Sequence, residues 1–585
     1  MTKPLTTFIA ATVCALSAVN GVEAASRPNV VLIITDDQGY GDLGHTGNHV
    51  IMTPKLDALA QSSARLTNFY VSPVCAPTRA CLMTGRYNYR TRVVDTFKGR
   101  AMMEPREVTV AEILRSAGYE TGIFGKWHLG DNHPMRPQDQ GFDEDLVHRG
   151  GGIGQNSDPR MPDERGNYTD PILFHNGTQK QVRGYCTDVY FDGALKWIED
   201  CQSRRRSFFA YIATNAPHGP FYDVPDALYQ KYKSRDLKPV SLGGNDDLDR
   251  LARVFAMVTN IDENVGKLLQ KLDALKLADD TIVIFMVDNG PNTRRFVGSM
   301  RGRKTEVHQG GIRSPFFVRW PGRLEAGDAS DRVAAHIDVL PTVLEACGVA
   351  IPAGLKVDGR SLLPLLERRR VDWADRTIFI QSHRGAEPVR YNHFAAVGQR
   401  WKLVHPTGFS TETFAGRPKL QLYDLANDPR EQYDLSAQHP QLVERLRRAY
   451  DMWFDDVSAT RANNFAPPRI HLGTPHENPV VLTRQDWQPT TRNGSDGPDA
   501  NGFWRVRIDR PGTFEVLGRF YKLDQPAKLK LTIGETGQGG SAAAGSTSHS
   551  FQAVDVAAGD VDLGIEIKLP DARHGPWQID VRRLK

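Results

Sequence analysis

The chain runs to 585 residues, with 40% hydrophobic and 24% charged content and a formal net charge of +4. That length exceeds one ordinary domain and the composition can fill large cores, so two or three domains are expected. So small a charge, with no basic stripe interleaved by aromatics, argues against a nucleic-acid partner and mildly favours an anionic ligand; Arg204-Arg205-Arg206 and Arg368-Arg369-Arg370 read as solvated loop or helix ends.

Residues 1–24 read as a secretory signal peptide. Lys3 supplies the charge, Phe8 to Val19 the apolar run, and Val22-Glu23-Ala24 the cleavage site. The run is too short to span a bilayer, and no later stretch is long enough. The protein is therefore expected to be exported, periplasmic or extracellular, with no membrane span. Beyond Cys14, the cysteines are Cys75, Cys81, Cys186, Cys201 and Cys347, an odd number for an exported chain. Cys186 and Cys201 fall at opposite ends of one expected helix, which at about 1.5 Å per residue sets them roughly 22 Å apart, beyond disulfide reach. A disulfide-framed scaffold is not expected, and one cysteine is left for another role.

In chain order, Val30 to Thr35 is a continuous β-branched apolar run, the mark of a strand buried on both faces of a parallel sheet. It ends in Asp36-Asp37-Gln38-Gly39. Pro54 to Ala64 reads as a helix and Arg65 to Val71 as a strand. Thr109 with Glu112 forms a capping box for a helix that buries Val110, Ile113, Leu114 and Ala117 and ends at Gly118. Tyr119 to Gly125 is a strand running into Lys126-Trp127-His128. Thr187 to Cys201 is a helix, and Phe208 to Thr214 a strand ahead of Asn215-Ala216-Pro217-His218. A long amphipathic helix spans Asp247 to Lys276. The strand Thr281 to Val287 runs into Asp288-Asn289-Gly290-Pro291. A strand at Phe316 to Trp320 and a helix at His336 to Ala346 follow. This alternation predicts an α/β domain with a large, mostly parallel sheet flanked by helices over 25–370.

The pattern then changes. Short strands at Thr377 to Gln381, Phe394 to Gly398, Trp401 to His405 and Leu422 to Leu425, with a helix at Pro440 to Phe454, predict a small antiparallel α+β subdomain over 371–471. Residues 472–502 are rich in Pro, Asn, Gly and Asp and read as a linker. Period-two runs at Phe503 to Ile508 and Thr513 to Leu517 predict a C-terminal β-sandwich-like domain over 503–585, with 537–547 a mobile Gly/Ser/Ala loop. That domain reads as a packing module or as a carbohydrate-recognition surface through Trp504, Phe520 or Tyr521.

Four strands of the first domain deliver polar groups at their carboxyl ends, where open parallel sheets bind ligands. These are Asp36 and Asp37, Lys126 and His128, His218, and Asp288 and Asn289. Asp36, Asp37, Asp288 and Asn289 are hard oxygen ligands that suit Ca²⁺ or Mg²⁺. Either acidic pair alone reads as readily as a turn or helix cap; two pairs at two strand ends favour the metal. In Cys75-Ala76-Pro77-Thr78-Arg79, Pro77 suits a first helical turn. A helix there sets position 75 at an N-terminus, where free N–H groups favour an anion, with Arg79 one turn in. A tetrahedral oxyanion would meet a divalent metal, a helix N-terminus, Arg79, Lys126 and two histidines, which is a site for sulfuryl or phosphoryl transfer.

Cys75-Ala76-Pro77-Thr78-Arg79 with Leu82, Thr84 and Gly85 resembles the signature of the type I sulfatases of the alkaline phosphatase superfamily. Arg27 to Asp42, Gly125-Lys126-Trp127-His128-Leu129-Gly130, Asn215-Ala216-Pro217-His218, Asp288-Asn289-Gly290, Gly302-Arg303-Lys304 and Gly310-Gly311-Ile312-Arg313 match in order. The resemblance covers about residues 27 to 455. It implies an alkaline phosphatase-like fold and sulfate-ester hydrolysis. It also implies oxidation of Cys75 to formylglycine (3-oxoalanine) by a separate maturation enzyme, which accounts for the odd cysteine. A hydrated aldehyde carries two hydroxyls: one attacks sulfur and expels the alcohol, and deprotonation of the other ejects sulfate. One Ca²⁺ would be held by Asp36, Asp37, Asp288 and Asn289 together with the modified Cys75. Arg79 and Lys126 would hold the hydrated aldehyde, His128 would be the base, and His218 and Lys304 would grip the sulfate and leaving oxygen. Relatives often carry Glu before the Gly-Gly pair where this chain has Gln309, and Thr78 replaces the commoner Ser. The expected substrate is a sulfated carbohydrate polymer or an aryl sulfate. A phosphodiesterase or phosphonate monoester hydrolase on the same cleft, and a catalytically dead carbohydrate-binding relative, are the alternatives.

Overall fold

The computed structural model describes residues 27–159, 167–243, 247–369, 372–459, 465–490, 497 and 499–585. The expected signal peptide, and the expected domain boundary at 370/371, lie outside the described residues.

Among the described residues, thirteen strands build the first domain: β1 (Asn29–Thr35), β2 (Ala64–Leu66), β3 (Phe69–Tyr70), β4 (Glu120–Lys126), β5 (Glu144–His148), β6 (Ile172–His175), β7 (Thr178–Gln181), β8 (Phe208–Ala213), β9 (Thr281–Val287), β10 (Arg313–Ser314), β11 (Phe316–Arg319), β12 (Ala329–Ser330) and β13 (Ala334–Ala335). Ten form one sheet in the order β12-β2-β11-β9-β1-β8-β4-β5-β6-β7. The five central strands, β9, β1, β8, β4 and β5, are parallel; β11 and β6 join antiparallel at either side. The α/β reading with a mostly parallel sheet holds.

Every residue of β1, β8 and β9 is buried, which is why these runs show no polar alternation. The two faces serve different cores. Helix α1 (Pro54–Gln61) lies on the Val31 face of the sheet; Val30, Leu32 and Ile34 pack on the side of helix α2 (Cys75–Thr84) and helix α3 (Val110–Ser116). Val31 and Ile33 face the side where helix Cys186–Ser203 and the 27-residue helix Leu248–Ala274 lie. The expected capping box of α3 is present, with Glu112 N–H donating to Thr109 Oγ1 at 3.1 Å and Thr109 N–H to Glu112 Oε2 at 2.8 Å.

Strands Ile378–Gln381, Phe394–Val397, Trp401–His405 and Gln421–Asp424 form the expected four-stranded antiparallel sheet. Helix Pro440–Ser458 packs on it, with Tyr450 stacked on Phe394 at 3.8 Å between centroids. The C-terminal region is two antiparallel-rich sheets closing on one apolar core that includes Trp504, Phe514, Val516, Phe551 and Ile579.

Four expectations need correction. Arg65 to Val71 is not one strand: β2 sits in the large sheet and β3 in a small three-stranded one. At the break, Asn68 Nδ2 donates to Asp331 O at 2.7 Å. Residues 472–502 are not a linker. They contain strand Val480–Thr483, paired with Gln578–Arg583, and bury Arg484, Gln485, Asp486 and Trp487. The stretch 537–547 begins as strand Thr536–Ala542, paired residue by residue with Ala527–Ile533, because glycines in an edge strand still carry the ladder hydrogen bonds. Trp504 and Phe520 are fully buried, and Trp504 Nε1 donates to Thr483 O at 2.7 Å, so neither can form a sugar-binding surface. Among the described residues no helix is long and apolar enough to cross a membrane.

Candidate active site

Register aligns the carboxyl ends of the central strands. Thr35 pairs with Val287, Ile34 with Ala213, and Ala213 with Gly125. The residues that follow leave the sheet at one level: Asp36 and Asp37 from β1, Asp288 and Asn289 from β9, His218 beyond β8, and Lys126 at the end of β4. Helix α2 lies across this edge and is wholly buried. Its first residue is Cys75, and its N-terminus has no side-chain cap, so its free N–H groups remain available to an anion. Thr78 ties α2 to the sheet: its hydroxyl donates to Asp288 O at 2.7 Å and accepts from Ser72 N–H at 3.0 Å.

The charged groups interlock. Lys126 Nζ lies 2.5 Å from Asp36 Oδ2, Arg79 Nη2 2.9 Å from Asp288 Oδ2, and Lys304 Nζ 2.5 Å from Asp37 Oδ1. Arg79 Nη1 also donates to Lys126 O at 3.0 Å. Asn289 Nδ2 donates to Asp37 Oδ1 at 2.9 Å, which turns its carbonyl oxygen the other way. Burial pushes the Asp36 carboxyl up, but Lys126, His218, Arg79 and Lys304 together hold it well below the usual carboxylate range. Asp288 is raised, by burial and then by the neighbouring Asp36 charge. Burial raises the Cys75 thiol, with Lys126 and Lys304 opposing. Burial lowers the Lys304 ammonium, but Asp37 and other anions carry it above its ordinary value. His128 and His218 are both lowered, chiefly by burial, so both imidazoles are neutral at pH 7.

Metal binding fits this donor set. Asp36 Oδ1, Asp37 Oδ2 and Asn289 Oδ1 are buried oxygens with no hydrogen-bond partner. The ligand atoms of Asp36, Cys75 and Asp288 lie within 4.8 Å of one another, as do those of Asp36, Asp37 and His218. Several buried oxygens left unsatisfied in one cluster, beside the Asp36 carboxylate held ionised, is the arrangement a hard divalent cation requires.

Above the cluster opens a cavity of about 460 Å³ whose walls include Cys75, His128, His218 and Lys304. All the candidate residues named from sequence are therefore gathered at one edge of the sheet. Lys304, which strand-end reasoning could not place, arrives on the loop after β9, with its N–H donating to Pro291 O at 3.0 Å. Asp37 and His128 have φ of 60° and 61°, the strained conformation that persists where surrounding structure enforces it. Sequence reasoning missed the outer wall: Thr96, Phe97, Arg384, Phe409 and Gln485. These come from loops of all three regions, and no spacing pattern links them. Gln309 lies away from this cavity. Its N–H donates to Glu431 Oε2 at 2.6 Å and Glu431 pairs with Lys402, so the small subdomain supplies a carboxylate beside it.

Sequence comparison agrees with this architecture. The sulfatase family profile matches residues 28–349, and a profile described as N-sulphoglucosamine sulphohydrolase, C-terminal, matches 303–451. The chain belongs to the sulfatase family, within the alkaline phosphatase-like superfamily, and is an enzyme of that class. It is 31% identical to N-acetylgalactosamine-6-sulfatase of Canis lupus familiaris over 469 residues, covering 73% of this chain and 85% of that one. It is 31% identical to arylsulfatase A of Homo sapiens over 477 residues, covering 74% and 89%. Among solved structures, Ps i-CgsB in complex with k-i-k-neocarrahexaose superposes with a TM-score of 0.62 at 27% identity, covering 73% of this chain and 92% of that one.

Proposed function

We propose that the protein removes sulfate from a sulfated carbohydrate, using Cys75 as formylglycine and one Ca²⁺ held by Asp36, Asp37, Asp288, Asn289 and the modified Cys75. The observation that carries this is the cluster of partnerless buried oxygens, Asp36 Oδ1, Asp37 Oδ2 and Asn289 Oδ1, beside the uncapped N-terminus of α2 at Cys75.

Charge supports the assignment. Asp36, Asp37 and Asp288 are matched by Arg79, Lys126 and Lys304. A divalent cation would leave the site net positive, suited to an anionic ester, and would supply charge stabilisation to the sulfuryl oxygens. Formylglycine would supply a hydrated aldehyde, one hydroxyl of which attacks sulfur while the other, once deprotonated, drives elimination of sulfate; a thiol has no second group for that step. Arg79 and Lys126 hold the nucleophile end of the site. His128, kept neutral by burial, can accept a proton. His218 and Lys304, both on the cavity wall, would grip the sulfate and the departing alcohol oxygen; Lys304 carries the proton to donate, because neutral His218 turns its Nδ1–H to Gly219 O. The net reaction consumes one water and yields alcohol and hydrogen sulfate.

A sulfated sugar is supported by the relative named for N-acetylgalactosamine 6-sulfate and by the neighbour solved with a neocarrahexaose. The maturation enzyme is a transient partner in this reading, and export provides access to polymer substrates. The test is mass spectrometry of the intact peptide spanning Cys75, from active protein made with a maturation enzyme. An aldehyde mass is expected; an unmodified thiol in fully active protein would sink the mechanism. Sulfate release from an aryl sulfate, without phosphate release from the paired aryl phosphate, separates this reading from a phosphohydrolase. A panel of sulfated oligosaccharides identifies the sugar.

A further inference from the structure

The C-terminal β-domain reaches the active-site cavity. The turn after strand Val480–Thr483 carries Gln485, which is 4% exposed and lines the same cavity as Cys75 and His128. Gln485 Nε2 donates to the carbonyl oxygen of Thr96 at 2.7 Å. His128 Nε2 meets that same oxygen at 2.7 Å, and the two nitrogens stand 3.4 Å apart. A carbonyl oxygen can only accept, and it has two lone pairs. Both nitrogens therefore carry their hydrogen toward Thr96 O, and the nitrogen–nitrogen contact is a shared-acceptor neighbourhood and not a bond. This settles the tautomer of His128: Nε2 is protonated, and the free lone pair sits on Nδ1, which is buried without a hydrogen-bond partner.

The loop that carries Thr96 is itself held from the C-terminal domain. Gly99 N–H donates to Gln485 O at 3.1 Å, and Gln488 Nε2 donates to Lys98 O at 3.0 Å. From the other side, Thr96 N–H donates to Asp95 Oδ1, and Asp95 pairs with Arg384 at 2.6 Å. Loop 95–99 is thus clamped between two domains at the point where it touches the histidine.

We infer that Gln485 is a positioning residue for the active site, acting through Thr96 to hold His128 in the Nε2–H tautomer with Nδ1 as proton acceptor. The C-terminal β-domain is then part of the catalytic apparatus. The inference rests on the reading of His128 as the base.

The test is a double-mutant cycle on an aryl sulfate with the full-length, matured enzyme. Gln485→Met and Gln485→Leu keep comparable bulk and lose the donor without adding an acceptor for His128 Nε2–H. Each is expected to lower kcat about 10- to 100-fold, the usual cost of removing an outer partner of a functional histidine, with KM within about twofold. In a His128→Ala background the same substitutions should cost nothing further, because the group they orient is gone. A kcat unchanged in both Gln485 variants, or an equal loss with and without His128, overturns the inference; equal loss would mean a merely structural role, whatever the change in melting temperature. Near-normal activity of His128→Ala alone would instead reject the base assignment, and is read independently of Gln485.

Discussion

Asp37 shows how much one side chain carries here. Its φ is 60°, its N–H donates to Asp288 Oδ1 at 3.2 Å, and its Oδ1 accepts from Asn289 and Lys304. Only Oδ2 is left over, 3.7 Å from His218 Nε2. A cation at Oδ2 would relieve that unsatisfied oxygen and join β1 to β9. Chelator treatment is therefore expected to abolish activity and lower the melting temperature, and added Ca²⁺ to restore both. At a hundredfold excess over the dissociation constant, binding stabilises by about 2.7 kcal/mol. In Asp37→Ala the Ca²⁺-dependent rise should vanish. A melting temperature indifferent to chelator and to Ca²⁺ in the wild type would remove the metal from the proposal. The Asp pairs were legible in sequence because strand ends are. Lys304 was named only by the family resemblance, because a long loop and one ion pair bring it in.

At the scale of elements, the site depends on β4 and β8 meeting closely. Gly125 has φ of 125°, and a Cβ there would stand 1.8 Å from Ala213 O. Gly125→Ala must push the end of β4 away from β8 and carry Lys126 off Asp36. Displacing a catalytic group by about 1 Å costs on the order of 100-fold, so a loss of that size in kcat/KM is expected, with sulfate release as the measurement. Unchanged turnover would mean that the strand register does not set the site. Long elements were read correctly because their apolar faces are self-evident: Thr281 to Val287 is a strand with the expected bounds. Short ones were not. Nothing in Arg65 to Val71 announces that it serves two sheets, and Pro, Asn and Gly in 472–502 mark turns between strands as readily as a linker.

Across the whole molecule, several histidines are buried neutral, and they make the fold acid-sensitive. His336 Nδ1 accepts from Ile337 N–H at 3.1 Å, and His393 Nδ1 from Gly408 N–H at 3.0 Å. Protonation would cost each that bond as well as its desolvation. Burial lowers His336 to about 3 and His393 to about 4. Because these values lie below that of an unfolded histidine, near 6.5, the unfolded state binds the proton first. Stability is complete above pH 6.5 and falls as pH drops toward 4, by up to about 1.4 kcal/mol per pH unit for each such histidine. Denaturant midpoints measured from pH 7 to pH 4 should show this slope, and a flat profile would contradict it. The C-terminal domain belongs to this scale too. Met102 and Met135 of the first half sit in its core, and Trp504 is at the centre of that core. Trp504→Ala is expected to cost about 3–5 kcal/mol, the usual price of truncating a buried aromatic; a variant that keeps its stability and loses only polymer binding would restore the carbohydrate-surface reading.

The amino-acid sequence alone pointed to the parallel sheet and to the set Asp36, Asp37, Cys75, Arg79, Lys126, His128, His218, Asp288 and Asn289, because these follow from local patterns: apolar runs, the polar residues that end them, and for Cys75 and Arg79 a Cys-x-Pro-x-Arg helix start. Tertiary structure alone decided what surrounds that set. Thr96, Arg384 and Gln485 are 389 residues apart at the extremes and yet share one wall. Their contacts are single hydrogen bonds and ion pairs between loops, which leave no period in the sequence. The nitrogen on which His128 carries its proton depends on one carbonyl oxygen, and only the packed chain says which atom meets it.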